Sequence, residues 1–113
     1  MTALLVALAG AIGGAGRLVL DGMIPRPRGF PWGTAIVNVV GSFALGLLVG
    51  AGPSDMWLTV VGTGLLGGFT TFSTATLELV RLLEAGRHRT ALAYGAGWLV
   101  VCVAAASAGL ALT

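Results

Sequence analysis

Four long runs without a charged residue constrain this chain more than any other feature of its sequence. The runs cover residues 2–16, 29–54, 56–77 and 90–113. A helix that crosses the hydrocarbon core of a bilayer needs roughly 20 mostly apolar residues. Four such runs take up most of a chain of 113 residues and leave no soluble domain over. The sequence therefore predicts an all-α membrane protein that forms a single unit over residues 1–113.

The composition excludes several other classes of protein. Hydrophobic residues make up 57% of the chain and charged residues only 9%, whereas a soluble domain has about 25% charged residues. A single Cys and a single His cannot form an internal disulfide or a zinc site. The sequence offers no nucleophile–base pair or metal cluster, so we expect no enzyme, and we expect no nucleic-acid partner.

The breaks between the apolar runs predict four transmembrane helices. The predicted spans are residues 2–20, 32–50, 56–84 and 90–112. Three prolines interrupt the first loop, and the turn at Gly52-Pro53 separates the second span from the third. A cleaved signal peptide is disfavoured, because no basic residue precedes the first apolar run and Arg17 follows it.

The arginines predict an orientation in the membrane. Arg26 and Arg28 lie in the first loop, and Arg87 and Arg89 lie in or next to the third. The termini and the second loop contain no Arg or Lys. Basic residues stay on the cytoplasmic side of a membrane protein. We therefore expect a multi-pass protein of the cell membrane, in contact with lipid, with loops one and three in the cytoplasm.

Glycines four residues apart occur in three of the spans, and they predict close helix packing. The pairs are Gly10 with Gly14, Gly46 with Gly50, and Gly64 with Gly68. Small residues at this spacing let helix backbones approach each other in lipid. A bundle of four such helices is thin, which favours a dimer.

Residues 67–74, Gly-Gly-Phe-Thr-Thr-Phe-Ser-Thr, form an unusual stretch within the third span. Glycine and hydroxyl side chains both disfavour a regular helix. One interpretation is a hydroxyl-rich packing face on a kinked helix. The other is a broken third helix, whose free N–H groups would suit an anion and whose free carbonyls would suit a cation.

Other polar residues within or near the spans have two interpretations each. Asn38 either makes an interhelical hydrogen bond or offers its donors to a permeating ion. Arg17 either reaches the interface or concentrates anions at a pore mouth. Glu78 is either a solvated partner of Arg81 or a vestibule residue. Tyr94 and Ser107 are the clearest polar side chains of the fourth span.

In their order and spacing, these residues resemble one known family over nearly the whole chain. The matching positions are Arg17, Gly33-Thr34, Asn38, Gly41-Ser42, Gly46, residues 67–74, Glu78 and Tyr94. Together they resemble the Fluc (CrcB) fluoride channels. The resemblance implies four-helix subunits that pair antiparallel into a dimer, and passive export of fluoride that limits its toxicity in the cell.

The resemblance also implies roles for individual residues. A structural sodium ion, which is not transported, would be held by the backbone carbonyls of Gly67 and Thr70. The implied pore-lining residues are Asn38, Phe72, Ser73, Thr74 and Tyr94. The implied vestibule residues are Arg17 and Glu78.

Three positions depart from the family pattern. The second pore phenylalanine of the family falls at Ala75, and two positions that usually carry Ser or Thr fall near Trp98 and Cys102. A non-conducting structural partner in a two-chain channel is therefore an alternative. A small multidrug exporter is disfavoured, because it needs an acidic residue in its first span and this one has none.

The location of the arginines on one side of the bundle also affects which chain can be the second subunit of the dimer. An antiparallel homodimer requires one sequence to insert in both orientations, which a strong charge bias opposes. We therefore expect the antiparallel mate to be a homologous second subunit with the opposite bias.

Overall fold

The computed structural model describes residues 1–113, and every regular element in it is helical. We number five helices in chain order. They are α1 (Thr2–Met23), α2 (Trp32–Ala51), α3 (residues 55–69), α4 (Ser73–Glu84) and α5 (His88–Ala111). A short 3-10 turn, Pro27–Gly29, lies between α1 and α2.

Three of the helices, α1, α2 and α5, are long and apolar enough to cross a membrane. The predicted all-α class is therefore confirmed, and the three helices agree with a multi-pass membrane protein. The predicted third span, residues 56–84, is not one continuous helix. It is divided into α3 and α4, neither of which is long enough to cross a bilayer by itself.

Local chemistry determines where the helices end. α1 continues past its predicted end at residue 20 as far as Met23, and Ile24 then takes an extended conformation with φ −101° and ψ 123°. Ile24 precedes Pro25, whose ring disfavours a helical residue before it. Gly52, with φ 66°, ends α2 in the left-handed conformation that glycine adopts without strain.

The break between α3 and α4 lies in the hydroxyl-rich stretch. Thr70 is extended, with φ −80° and ψ 163°. Its hydroxyl donates a hydrogen bond to the Leu66 carbonyl at 2.9 Å. The hydroxyl of Thr71 accepts a hydrogen bond from the Thr74 backbone N–H at 3.1 Å. It thus satisfies one of the N–H groups that the first turn of a helix leaves without a partner.

Glycines bring two pairs of helices into backbone contact. A methyl group added at Gly13 of α1 would meet the Leu65 carbonyl of α3 and lie 2.9 Å from the backbone nitrogen of Phe69. α2 and α5 approach equally closely, where Gly46 faces the Ala106 carbonyl and Gly109 faces the Phe43 carbonyl. The bundle is thus assembled from two tight pairs, α1 with α3 and α2 with α5.

Contacts between the loops show which ends of the helices lie together. The Arg87 guanidinium donates a hydrogen bond to the Arg28 carbonyl at 2.9 Å, which joins the third loop to the first. At the other end of the bundle, Gly50 near the end of α2 faces Thr113 at the C-terminus. The chain between the first and third loops therefore goes to the other end of the bundle and returns. The side of the membrane on which these loops lie remains a prediction from the arginines.

We expect Gly13→Ala to lower the stability of the bundle by about 1–3 kcal/mol, because the added methyl group would overlap α3 backbone that cannot move aside cheaply. Gly22→Ala is the matched control on the same helix, since a methyl group at Gly22 would meet nothing within 4 Å. Thermal unfolding of the purified variants in detergent measures the difference. Equal melting temperatures would contradict the backbone contact between α1 and α3.

Candidate functional site

Two adjoining cavities lie on the two sides of the helix break. The first, of about 310 Å³, is formed mainly by α2 and α3, and we call it the break cavity. The second, of about 370 Å³, lies among α2, α4 and α5, and we call it the aromatic cavity. Four residues line both cavities: Asn38, Thr71, Phe72 and Cys102. The two cavities therefore share a wall at the break, and we refer to them together as the groove. No charged residue lines the groove.

The side-chain amide of Asn38 is paired with the backbone at the break. Its Nδ2 donates a hydrogen bond to the Thr71 carbonyl at 2.9 Å. Its Oδ1 accepts a hydrogen bond from the Thr71 N–H at 2.8 Å. Breaking a helix leaves N–H and C=O groups without their helical partners, and Asn38 supplies both partners to this residue. The structure therefore contains the interhelical hydrogen bond that was one of the two interpretations of Asn38.

The same amide retains one free donor. Its NH₂ group has two hydrogens, and only one of them is used in the bond to Thr71. Because Asn38 lines both cavities, we expect the second hydrogen to be available to a ligand in the groove. The structural role and the predicted pore-lining role are therefore compatible.

Three of the five predicted pore-lining residues lie together along the groove. Asn38, Phe72 and Tyr94 all line the aromatic cavity. Phe72 projects from the break with 85% of its surface exposed. Ser73 and Thr74 lie in the first turn of α4 and do not line either cavity.

Tyr94 lies deep in the wall of the aromatic cavity. It is 4% exposed and lies in a short π-helical segment, Ala93–Gly97, within α5. Its ring packs edge-on against Phe30, with the ring centroids 5.7 Å apart. Its buried hydroxyl oxygen has no hydrogen-bond partner within the chain. The hydroxyl is therefore an uncommitted polar group beside the groove.

The two predicted sodium-binding residues, Gly67 and Thr70, both line the break cavity. Gly67 lies in the last turn of α3 and Thr70 directly follows it, where the last carbonyls of a helix lack intrahelical partners. Oxygen donors of this kind suit a hard cation, and the C-terminal end of a half-helix dipole favours positive charge. The donor chemistry of the break therefore fits the cation that the family resemblance implies.

The two predicted vestibule residues have different surroundings. Glu78 is buried, with only 7% of its side chain exposed, so its interpretation as a solvated residue is wrong. Its carboxylate pairs with Arg26 at 3.0 Å and with Arg81 at 3.7 Å. Arg17 is partly buried, lines neither cavity, and leaves its Nε without a hydrogen-bond partner.

Arg26 is a residue that sequence reasoning missed. Its guanidinium donates to Glu78, 52 positions away along the chain, so no local pattern connects the two residues. The hydrogen bond to Glu78 raises the pKa of Arg26 above its ordinary value, against a smaller lowering by burial. An arginine is charged at neutral pH even at its ordinary pKa, so the shift reflects how strongly Glu78 holds Arg26 and not a change in its charge state.

The three positions that depart from the family pattern also lie in one place. Ala75, Trp98 and Cys102 all line the aromatic cavity. Trp98 packs edge-on against Trp32, with the ring centroids 5.6 Å apart. Ala75, Trp98 and Cys102 therefore share one wall of the groove, whereas Gly67 and Thr70 line the break cavity.

Taken together, the fold and the site define an all-helical membrane protein with a neutral, partly polar groove at a helix break. The family model described as CrcB-like protein, Camphor Resistance (CrcB), matches residues 4–110. The chain belongs to this family, as the resemblance of its motifs predicts. Family membership also confirms that the chain is not an enzyme.

Several curated relatives are similar over nearly their whole length. Fluoride-specific ion channel FluC 1 of Leifsonia xyli subsp. xyli is 45% identical over 116 residues, which cover 97% of this chain and 85% of the relative. FluC 1 of Rubrobacter xylanophilus is 47% identical, with 95% of this chain and 88% of the relative covered. FluC 2 of Rhodococcus jostii is 42% identical, with 100% of this chain and 99% of the relative covered.

We expect Asn38→Asp to destabilise the protein, because a carboxylate cannot donate a hydrogen bond and would face the Thr71 carbonyl with a second oxygen. An unsatisfied buried group costs about 1–3 kcal/mol. Ser42→Ala is the matched control, since Ser42 lines the break cavity one turn further along α2 and makes no side-chain hydrogen bond. Thermal unfolding in detergent compares the two variants. Equal stabilities would show that the Asn38–Thr71 pair does not hold the break.

Proposed function

We propose that this chain is a subunit of a fluoride-selective channel that lets fluoride leave the cell passively and so lowers its toxicity in the cytoplasm. The observation that carries the proposal is the neutral groove at the helix break, whose two cavities are both lined by Asn38 and Phe72. Curated relatives that are 42–47% identical to the chain are named fluoride-specific ion channels, which supports the choice of ion.

The groove has the chemistry that a small, strongly hydrated anion requires. A pore must replace the lost water of fluoride with donors, and the free N–H of Asn38 is one. The positive edge of an aromatic ring is another, and Phe72 is exposed at the break. A fixed cation in the pore would hold the anion too tightly for conduction, and no Arg lines either cavity.

A structural sodium ion at the break is part of the proposal. The carbonyls of Gly67 and Thr70 would hold it at the end of α3, next to the break cavity. When bound, the ion supplies positive charge that offsets the carbonyl ends of the half-helix. The residues of the chain itself fix the break through the bonds between Asn38 and Thr71.

We further propose that α3 and α4 together make the third of four membrane passes and that the subunit works as an antiparallel dimer. The groove is open on one side in the single subunit, and Phe72 projects from it almost fully exposed. A second subunit on this side would enclose the groove and shield the irregular backbone from lipid, as a helix break in a bilayer requires. Because the loop arginines of this chain all lie on one side of the bundle, the second subunit is a homologous chain whose basic residues lie on the opposite side.

A second candidate function is a non-conducting structural partner within such a channel. The specific observation in its favour is the wall formed by Ala75, Trp98 and Cys102, which all line the aromatic cavity. The bulky indole of Trp98 and the missing aromatic ring at Ala75 change the part of the groove next to Tyr94. Under this alternative, the homologous subunit would provide the conducting path.

We expect fluoride efflux only when this chain is combined with a homologous subunit of opposite arginine bias. The test is fluoride efflux from liposomes that contain this chain alone, the partner alone, or a mixture of both. A further sample is the mixture with Asn38→Asp in this chain, assayed at a temperature at which thermal unfolding shows the variant to be folded; its negative charge would repel fluoride in a medium of low dielectric constant.

Three outcomes of this test are informative. Rapid efflux with this chain alone would contradict the heterodimer. Efflux from the mixture that Asn38→Asp leaves unchanged would favour the structural-partner alternative. No efflux from any preparation would contradict the proposed channel.

We also expect sodium removal to impair the channel. Purification and assay with a large organic cation in place of sodium should reduce fluoride efflux, because that cation cannot approach the carbonyls of Gly67 and Thr70 at the break. Readdition of sodium should restore the efflux, which controls for irreversible damage. Undiminished efflux in the absence of sodium would argue against the cation site.

A further inference from the structure

A group of charged side chains lies outside the groove, close to its Tyr94 end. Arg26 in the first loop stands between two carboxylates, with its Nη2 at 3.0 Å from Glu78 of α4 and 3.8 Å from Asp21 of α1. Arg81 adds a second contact to Glu78 at 3.7 Å. The side chains come from three separate parts of the chain, so the group ties the first loop and the end of α1 to the second half of the broken helix.

Several contacts place this group next to the groove. Leu79 follows Glu78 directly and lines the aromatic cavity together with Tyr94. Leu82, one turn further along α4, packs in the same buried cluster as Tyr94. An anion that enters or leaves the groove past Tyr94 therefore passes near this group.

The charges of the group balance only when Arg26 is present. Glu78 is the most buried member, and a buried carboxylate needs a close partner. Arg81 is a weak substitute, because its side chain is 61% exposed and more distant. Without Arg26, Asp21 and Glu78 would leave net negative charge beside a path for an anion, and like charges repel.

We propose that Arg26 is a positioning residue for the fluoride path: it neutralises Glu78 and ties α4 to the first loop, so that the Tyr94 end of the groove carries no net negative charge. The inference rests on the proposed channel function and goes beyond it, because Arg26 touches neither cavity. Its effect on fluoride is therefore exerted through Glu78.

The experiment compares fluoride efflux for Arg26→Gln, Glu78→Gln and the double variant, each in the mixture of subunits that conducts. We expect Arg26→Gln to reduce efflux about tenfold at low ionic strength, because the unpaired carboxylate repels the anion. The loss should shrink at high ionic strength, since salt screens charge. The double variant should recover most of the efflux, because no carboxylate at position 78 is left unpaired. Arg26→Lys should recover part of it.

Arg28→Gln is the matched control. It removes the same charge from the same loop, and the side chain of Arg28 has no carboxylate partner within 4 Å. We expect it to leave efflux within about twofold of the unmodified channel, because an exposed charge without a close partner has little effect.

The outcomes separate the inference from the proposed function. Equal efflux for Arg26→Gln and the unmodified channel, or a double variant no better than Arg26→Gln, would overturn the inference alone. If Arg26→Gln fails to fold, the double variant decides: a folded, conducting double variant supports charge compensation, and a misfolded one overturns it. An unmodified mixture that carries no fluoride would overturn the proposed function, and the inference with it.

Discussion

The pairing of the Asn38 amide with the backbone of Thr71 is the interaction on which the rest of the groove depends. An interrupted helix among apolar helices has lost backbone hydrogen bonds that no water replaces, and such a loss is severe in a membrane. Asn38 replaces both bonds of one residue, at 2.9 and 2.8 Å. Because Asn38 belongs to α2, the pairing also sets the position of the break relative to α2. The carbonyl end of α3 and the exposed ring of Phe72 follow from that position.

Close backbone contacts hold four of the helices together in pairs but do not hold α4. α1 lies against α3 through Gly13, and α2 lies against α5 through Gly46 and Gly109, in each case with backbone nearly touching backbone. α4 has no such glycine contact. It is held by the break at one end and by Leu82 and the Arg26–Glu78 ion pair towards the other. The second half of the broken helix is therefore positioned by an ion pair and by the packing of Leu79 and Leu82, and not by backbone contact at a glycine.

The distribution of charge distinguishes the ends of the molecule from its middle. Every residue that lines the groove is uncharged, while Arg26, Glu78 and Arg81 form their pairs near one end. A neutral groove with amide, hydroxyl and aromatic-edge donors can bind an anion without trapping it. Because the groove itself is neutral, an unpaired charge nearby would have a strong effect on an anion within it. The ion pair of Arg26 with Glu78 removes such a charge. Ala75, Trp98 and Cys102, the three positions at which the motif resemblance is weakest, share one wall of the groove.

The sequence by itself determined the class of the protein, its family and the place of the break. Charge-free apolar runs are a property of composition along the chain, and residues 67–74 combine residue types that disfavour a helix wherever they occur. The order and spacing of Asn38, the residue 67–74 stretch and Tyr94 were enough to identify the family. These signals are local or depend only on spacing, so they can be read without knowing how the helices pack.

Only the tertiary structure decided which partners the polar residues have. Asn38 and Thr71 are 33 positions apart, and Arg26 and Glu78 are 52 apart, so neither pair leaves a periodic or local signal in the sequence. Glu78 was open to interpretation as a solvated residue because its neighbour Arg81 is three positions away, yet the fold buries it against a loop arginine. Hydrogen bonds and ion pairs depend on distances of about 3 Å between side chains, and those distances exist only once the glycine contacts have brought the helices together.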